Sequence, residues 1–275
     1  MTSTNESQRR SKRHADILRI VREQGTSAVA DLANHLNVSQ ESIRRDLKPL
    51  TERGQLIKLH GAVTLPHHIG EAPFERRMRE NHTIKRAIAQ QAALSIQDGD
   101  SIMLDTGTST SILARELLTK RNLTVITNSS DIARTLATVN GNTVFMAGGQ
   151  LRGDNGAAFG SSAVEFIRKF RVRHAIVSIG AIDADTGPMD IDFGEAEFAN
   201  AVLRQGERAA IITDHTKFGR TGLVKVCDFT DIHTLITDQP PPGDIMDRLL
   251  QAQVDVVVCP APIQTAPEPS GAAKS

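Results

Sequence analysis

The sequence has no tryptophan and no tyrosine among its 275 residues, and only nine phenylalanines. Stacking of bases on aromatic rings, which dominates the binding of single-stranded nucleic acids, therefore cannot be its main mode of recognition. The polar start MTSTNESQRRSKR lacks the apolar segment of a signal peptide, and no apolar run approaches the roughly 20 residues that a membrane span needs. These absences predict a soluble, cytoplasmic protein.

Cysteine and metal-ligand motifs are scarce as well. Cys227 and Cys259 are the only cysteines, and their spacing matches no metal-binding or redox motif. We expect two buried thiols in a reducing compartment. The adjacent His67 and His68 are expected to be solvated rather than to form a metal pair. The sequence thus predicts no metal site and no cofactor.

Charged residues are balanced in number but unevenly distributed. The chain has 32 Lys and Arg residues and 32 Asp and Glu residues. Residues 1–62 contain 11 basic and 7 acidic residues, whereas residues 63–275 contain 21 and 25. This asymmetry indicates a basic contact module joined to a more acidic partner domain.

The N-terminal part has the periodicity of three short helices. Gly25 is expected to end the first helix, Ser27 to cap the second and Ser39 to cap the third, after a turn at Asn37-Val38. Gly54 is expected to end the third helix. The residues at helical spacing are His14, Ile17, Leu18 and Val21, then Val29, Leu32, Ala33 and Leu36, then Ile43, Leu47 and Leu50.

The third helix begins in the stretch SQESIRRDL, residues 39–47. Because Ile43 and Leu47 belong to the buried stripe, Arg44 and Arg45 are turned away from the core. The alternating stretch QLIKLHGAVTL that follows, residues 55–65, predicts a β-hairpin around His60-Gly61. Helix, helix-turn-helix and hairpin in this order predict a winged helix.

In a winged helix, the N-terminal residues of the second helix of the turn enter the major groove of DNA. Arginine can bind guanine or phosphate, and glutamine can bind adenine. A merely solvated helix face is the alternative for the two arginines. The candidate DNA-binding residues are Ser39, Gln40, Ser42, Arg44, Arg45, Lys58 and His60.

The stretch VSQESIRRDLKPLTERGQLIKLHGAV resembles the signature of the DeoR family of bacterial regulators. The recognition helix of that family carries a Thr-Ile-Arg-Arg-Asp-Leu core. Ser42 stands where the family usually has threonine, so the hydroxyl is retained. Gly61 is a single glycine where the family usually has two, which indicates a shorter wing. The resemblance implies that Arg44 and Arg45 contact operator DNA.

The remainder of the chain alternates strands and helices. Residues 66–82 are predicted as a linker that grades into a helix near His82, and residues 83–259 as a second domain. Alternation of this kind predicts a mostly parallel α/β sheet. The predicted strands read SIMLD, LTVIT, NTVFMA, HAIVSIGAI, ERAAIIT and HTLIT.

Ligands of such sheets bind where strands end and helices begin. The stretch DTGTST after the first strand suits a phosphate at a helix N-terminus, or is ordinary helix capping. Gly148 and Gly149 allow a close backbone approach to a ligand, or make a tight turn. Asp214 and Lys217 suit a polyol hydroxyl and a phosphate, or form a surface ion pair.

The order of these loops resembles the effector-sensing half of DeoR-type regulators, a fold shared with ribose-5-phosphate isomerase. The two resemblances cover residues 9–258, with residues 9–65 as the winged helix-turn-helix domain. The segments FIRKFRVRHAIVSIGAID, DHTKFGR and TDQPPP are most similar to family members that respond to glycerol 3-phosphate. The effector-binding residues that the resemblance implies are Asp105, Gly107, Thr108, Ser109, Thr110, Asn128, Gly148, Gly149, Glu195, Asp214 and Lys217.

The resemblance implies a repressor of carbohydrate or polyol catabolism genes, released from double-stranded operator DNA by a phosphorylated sugar or polyol. A homodimer or homotetramer is expected, since palindromic operators mirror protein symmetry. One alternative is a regulator that senses another sugar phosphate, and another is an isomerase-like enzyme that uses Glu195, Asp214 and Lys217 for proton transfer. Repression and activation are not separable from the sequence. The proline-rich residues 260–275 are expected to be disordered.

Overall fold

The computed structural model describes residues 12–21, 26–53, 55–59, 61–64 and 72–260. In these ranges, no helix is long and apolar enough to cross a membrane. The same ranges contain no group of three or more His, Cys, Asp or Glu side chains arranged to hold a metal ion. The expectations for Gly25, Gly54, His60, His67, His68 and the tail beyond residue 260 lie outside the described residues.

The N-terminal part consists of helices packed on a small antiparallel sheet. Its elements are helical residues 12–21 (α1), β1 (Thr26–Ala28), α2 (Val29–His35), α3 (Gln40–Glu52), β2 (Ile57–Leu59) and β3 (Ala62–Thr64). The strands pair in the order β1-β3-β2, so the predicted hairpin is confirmed. A single apolar cluster joins helices and wing, and it includes Ile17, Val21, Leu32, Ile43, Leu47, Leu50 and Val63.

Ser39 caps α3 as predicted. Its hydroxyl oxygen accepts the backbone N–H of Ser42 at 3.2 Å. This bond satisfies one of the N–H groups that have no partner inside the helix. The cap therefore fixes where α3 begins, and with it the position of the arginines one turn further on.

The predicted cap of α2 is wrong. Ser27 lies in β1 opposite Val63, and α2 follows Ala28 without a side-chain cap. The N–H of Val29 donates instead to the Gly61 carbonyl oxygen at 3.0 Å. Gly61 has φ of +76°, which glycine adopts without strain. The turn of the wing thus takes the place of a side-chain cap. The periodicity of α2 cannot reveal this contact, because Gly61 is distant in sequence.

The predicted linker contains a helix. Phe74–Arg79 form α4 and His82–Leu94 form α5, with Asn81 in the left-handed conformation between them. Phe74 is buried, and Met78 one turn later packs against the core of the second domain. These two apolar contacts hold α4 on the domain although its other residues are mostly charged.

The second domain is built on a seven-stranded sheet in which all neighbouring strands are parallel, as predicted. The strands are β4 (Ser101–Leu104), β5 (Thr124–Thr127), β6 (Thr143–Met146), β7 (Val172–Val177), β10 (Gly206–Ile212), β12 (Thr234–Thr237) and β13 (Asp255–Val258). They lie in the order β13-β12-β10-β7-β4-β5-β6.

Helices cover both faces of this sheet. Side chains alternate along β4, so that Ile102 and Leu104 join one core cluster and Met103 joins the other. The first cluster includes α5, α6 (Thr108–Glu116) and α7 (Ser130–Leu136), and the second includes α8 (Ser161–Ile167), α9 (Phe193–Leu203) and α10 (Gly243–Gln251). Burial on both faces explains the continuously apolar strands in the sequence.

The predicted strand HAIVSIGAI is divided between two sheets. Its first part belongs to β7, and its last residues form β8 (Ala181–Asp183), which pairs with β9 (Gly187–Asp190) and β11 (Val224–Lys225) in a small antiparallel sheet. At Gly180, a Cβ would lie 2.8 Å from Asp190 Oδ1. The same Cβ would lie 3.5 Å from Asp190 Cα, so β9 passes in van der Waals contact with the chain where it leaves the main sheet.

The two cysteines are buried and unpaired, as predicted. Burial raises the pKa of Cys227 to about 12 and that of Cys259 to about 11. Both side chains are therefore neutral thiols at physiological pH, and neither is a reactive thiolate.

Candidate functional site

The strand order changes direction at the centre of the main sheet. From β4, the strands β5 and β6 extend to one side, and β7, β10, β12 and β13 extend to the other. The connections diverge at such a point and leave a crevice beyond the carboxyl ends of the strands, where ligands bind. A cavity of about 300 Å³ lies there, lined by the loops after β4, β7 and β10, by the N-terminal turn of α9 and by α4 and α5.

The N-terminus of α6 forms one wall of the cavity. Gly107 precedes the helix, and Thr108 and Ser109 form its first turn. A Cβ at Gly107 would lie 1.7 Å from Ser178 Oγ and 3.0 Å from Ser178 Cβ, so a larger residue would force the Ser178 side chain to move and the loops after β4 and β7 to separate. The first N–H groups of a helix lack intrahelical acceptors and favour an anion.

Cationic side chains line the same cavity. Arg77 and Lys85 come from α4 and α5, whereas Lys217 and Arg220 follow β10. Lys85 is buried, and its Nζ donates to the Arg77 carbonyl oxygen at 2.5 Å. Burial lowers the pKa of Lys85; the Asp214 charge opposes that shift and the Lys217 charge reinforces it. An anionic ligand would compensate this unfavourable buried charge.

Carboxylates also surround the cavity. Asp105 is buried just behind the wall, where Oδ2 accepts the Ser178 N–H at 3.1 Å and Oδ1 has no hydrogen-bond partner among the described residues. Burial raises the pKa of Asp105 to about 7; the Thr110 hydroxyl opposes this shift and the Glu195 charge reinforces it. Asp214 lies in the wall and accepts the Thr216 N–H at 3.0 Å.

Glu195, in the first turn of α9, is held by the loop after β6. Its Oε1 lies 3.2 Å from Arg152 Nη1 and 3.3 Å from Asn155 Nδ2, which both donate to it. Arg152 also donates to Asp192 Oδ1 at 2.7 Å. Asp192 in turn caps α9 by accepting the Glu195 N–H at 3.0 Å. The carboxylate is thereby fixed in orientation at the edge of the cavity.

The structure brings together on the cavity wall only part of the set predicted as effector-binding. The members that line it are Gly107, Thr108, Ser109, Glu195, Asp214 and Lys217. Asp105 and Thr110 are buried behind them, where the Thr110 hydroxyl donates to the Asp105 and Gly107 carbonyl oxygens.

Asn128, Gly148 and Gly149 do not line the cavity. Asn128 is buried, and its amide donates to the Ala158 carbonyl oxygen at 2.8 Å. It therefore fastens the loop that carries Arg152 and Asn155. The two glycines begin this loop. All three residues therefore contribute to the site indirectly, by shaping and holding the loop.

The site contains several residues that the sequence analysis does not predict. Among them, Lys85 has a signal in the sequence, because it lies at helical spacing with the buried Ile88, Ala89 and Ala92. A lysine in register with an apolar stripe indicates a buried charge with a specific partner. Arg77, Ser178, Arg220, Arg152 and Asn155 could be found only from the fold.

The surface of α3 presents most of the predicted DNA-binding residues. Gln40, Arg44 and Arg45 are exposed, and Ser42 is half-buried. Lys58 is exposed on β2. Arg44 Nη1 lies 3.5 Å from Glu41 Oε2, in a pair with both side chains mostly exposed. Such a surface ion pair is weak, about 0–1 kcal/mol, so Arg44 can leave Glu41 and contact DNA at little cost.

Asp46, in the same helix, has a different environment. It is buried, accepts a hydrogen bond from Arg13, and has Oδ1 3.4 Å from His14 Nε2. Burial alone would raise the pKa of Asp46, but the Arg13 guanidinium and His14 hold it below its usual value. Asp46 therefore fastens α3 to α1 and sets the orientation of the exposed arginines.

Both parts of the chain match known families. Residues 13–68 match the DeoR-like helix-turn-helix domain, and residues 80–239 match the DeoR C terminal sensor domain. The glycerol-3-phosphate regulon repressor of Escherichia coli strain K12 is 30% identical over 251 residues, which cover 91% of this chain and 100% of that protein. The transcriptional repressor CsqR of the same strain is 32% identical over 246 residues, covering 90% and 94%.

A glycerol-3-phosphate regulon repressor from Haemophilus influenzae is 32% identical over 251 residues, covering 91% of this chain and 98% of that protein. Among solved structures, ribose 5-phosphate isomerase A from Methanocaldococcus jannaschii overlaps with 50% of this chain and 55% of its own, at a TM-score of 0.37 and 15% identity. This overlap is too partial to bear on function.

Proposed function

The chain belongs to the DeoR family, with its helix-turn-helix and sensor domains, and on that premise we propose that it is a transcriptional repressor released from operator DNA by a phosphorylated polyol or sugar. Three relatives aligned over about nine-tenths of the chain are named as repressors, which favours a regulator over an enzyme. The observation that carries the effector proposal is the cavity, where a helix N-terminus and cations stand beside carboxylates.

The cavity provides complementary groups for both ends of such a ligand. The N-terminus of α6, Lys85 and Lys217 would bind the phosphate, because hydrogen bonds between ionised partners are about twice as strong as neutral ones. Glu195 and Asp214 would accept hydrogen bonds from hydroxyl groups. Glycerol 3-phosphate has a phosphate and two hydroxyls on three carbons, and two relatives are named for it. It is therefore the effector we propose first.

DNA binding is assigned to α3 and the wing. Gln40, Arg44 and Arg45 would reach base edges or phosphates in the major groove, with Ser39 and Ser42 at the start of the helix beside the backbone. Lys58 and His60 would contact phosphates from the wing. We propose residues 9–65 as the DNA-binding domain and residues 83–259 as the sensor, in a homodimer or homotetramer that reads a palindromic operator.

The position of α4 provides a route from the ligand to the DNA-binding domain. Residues 65–71 follow the wing in sequence, and α4 begins at Phe74. Arg77 on α4 and Lys85 on α5 both line the cavity and are joined by a hydrogen bond. A phosphate drawn to these cations would change the position of α4. The ligand would then shift the population away from the arrangement that binds the operator.

Fluorescence anisotropy tests the proposal directly. Full-length protein is titrated into labelled DNA from upstream of its own gene, and glycerol 3-phosphate, fructose 6-phosphate and ribose 5-phosphate are then added separately. Release by glycerol 3-phosphate alone supports the proposal in full, whereas release by another ester corrects the ligand. Absence of specific DNA binding, together with turnover of ribose 5-phosphate, would replace the repressor with an enzyme.

A further inference from the structure

We propose that Arg152 is the positioning residue that gives the sensor cavity its selectivity for hydroxyl-bearing phosphates, because it fixes the carboxylate of Glu195. This inference rests on the proposed function, in which a phosphorylated polyol occupies the cavity. Arg152 lies on the loop between β6 and α8, far in sequence from the loops that line the site. It reaches the site through the start of α9, where it donates to Asp192 and Glu195.

Arg152 is held on several sides. Its guanidinium lies 4.1 Å from the centre of the Phe159 ring, donates to Asp192 Oδ1 at 2.7 Å and donates to Glu195 Oε1 at 3.2 Å. Gly194 gives it room, since a Cβ there would lie 3.0 Å from Arg152 Nη2. A planar guanidinium with its donors fixed in this way holds a carboxylate in one orientation.

The loop that carries Arg152 is itself fastened to the main sheet. The Ala158 N–H donates to the Asn128 carbonyl oxygen at 3.1 Å, and the Asn128 amide returns a bond to the Ala158 carbonyl oxygen at 2.8 Å. Ser129 pairs with Ala157 in a β-bridge. Arg152 therefore acts from a rigid base.

The consequence for the ligand follows from the chemistry of a carboxylate. An ionised carboxylate accepts hydrogen bonds only, and Glu195 lines the cavity, so a carboxylate held there in one orientation is placed to accept hydroxyl donors of a ligand. The positive charge of Arg152 also compensates the charge of Glu195, which faces the buried Asp105. A held carboxylate favours a ligand that donates hydroxyl groups over one that presents only a phosphate.

The test compares glycerol 3-phosphate with propyl phosphate, which has the same charged group and carbon number but no hydroxyl. Calorimetry on the full-length protein gives the ratio of the two affinities. In Arg152→Gln this ratio should fall at least about tenfold, the scale of a lost hydrogen bond to a charged group, while propyl phosphate affinity falls by less than about twofold. Arg152→Lys should restore part of the ratio.

Arg115→Gln is the matched control, because Arg115 also donates twice to an aspartate, Asp131, elsewhere in the domain. Its ratio should equal that of the unsubstituted protein. Asn155→Asp provides a second test. Asn155 Oδ1 accepts the Ala157 N–H and an aspartate retains that acceptor, but the donor to Glu195 becomes a like charge. Its ratio should fall as well.

The outcomes separate this inference from the proposed function. If the unsubstituted protein binds neither ester, the proposed effector class is wrong. If it prefers glycerol 3-phosphate and Arg152→Gln keeps that preference, the role of Arg152 is wrong. An equal loss of both affinities in Arg152→Gln would also overturn it, because a structural or phosphate-binding role predicts that result.

Discussion

Substitution of Lys85 by methionine should separate ligand binding from stability. Lys85 is 5% exposed in the cavity wall, and its ammonium interacts with the Arg77 carbonyl oxygen and with the Asp214 charge. Loss of a hydrogen bond from an ionised donor to the effector phosphate costs about 1.5–3 kcal/mol, or roughly 10- to 100-fold in affinity. Glycerol 3-phosphate binding by Lys85→Met should weaken by that amount.

The free energy of unfolding of ligand-free Lys85→Met should rise or stay constant. Burial of an ammonium costs several kcal/mol, and methionine of similar length removes that cost. The lost bond to Arg77 offsets about 1–3 kcal/mol of this gain. The folded-state pKa of Lys85 is lowered, so the charged form opposes folding below that pKa, and this penalty fades as the pH rises from the folded-state pKa to the unfolded-state pKa.

Calorimetric titration and thermal unfolding of the same preparations measure the two effects. Lys169→Met, at an exposed lysine of the same domain, is the matched control and should change neither quantity. Unchanged affinity in Lys85→Met would remove Lys85 from the phosphate site. A melting temperature several degrees below that of the control would refute the reasoning on burial.

Three further predictions concern other parts of the molecule. Arg44→Ala should weaken operator binding by about 1–3 kcal/mol in anisotropy titrations, whereas Arg53→Ala at the other end of α3 should not; equal losses would point to a non-specific charge effect. The folded-state pKa of Asp105 is raised to about 7, so its contribution to stability is complete below pH 4 and is lost as pH rises through 7. Asp105→Asn should therefore gain roughly 2–4 kcal/mol of stability over the unsubstituted protein at pH 8, with little difference at pH 4; a gain independent of pH would contradict this reasoning. Asp46→Asn should destabilise the helix-turn-helix by about 1–3 kcal/mol and weaken operator binding, because Arg13 loses its buried partner; wild-type melting would show that the pair is dispensable.

The sequence predicts the helix start and the buried stripe of α3 correctly, because interactions between residues close in sequence determine both. The spacing of Ile43, Leu47 and Leu50 predicts the buried stripe of α3, and Ser39 predicts its start. Both depend on neighbours within one or two helical turns. Apolar runs bounded by loops predict the parallel sheet in the same way, and strand ends predict where Gly107, Asp214 and Lys217 gather.

The errors arise where a distant segment changes the local preference. Ser27 lies in a strand because β3 pairs with it, and α4 forms where Phe74 is buried and Met78 finds an apolar core to pack against. The predicted strand after residue 173 divides at Gly180 because β9 approaches it there. None of these partners lies within the window that periodicity samples.

The sequence by itself determined that the chain has a winged helix-turn-helix followed by a parallel α/β domain, since amphipathic spacing and loop residues carry that information locally. Only the tertiary structure decided which polar residues meet. Lys85 on α5, Ser178 after β7, and Arg152 with Asn155 after β6 come together through the strand order. That order depends on long-range packing of helices on both faces of the sheet, which no local pattern encodes.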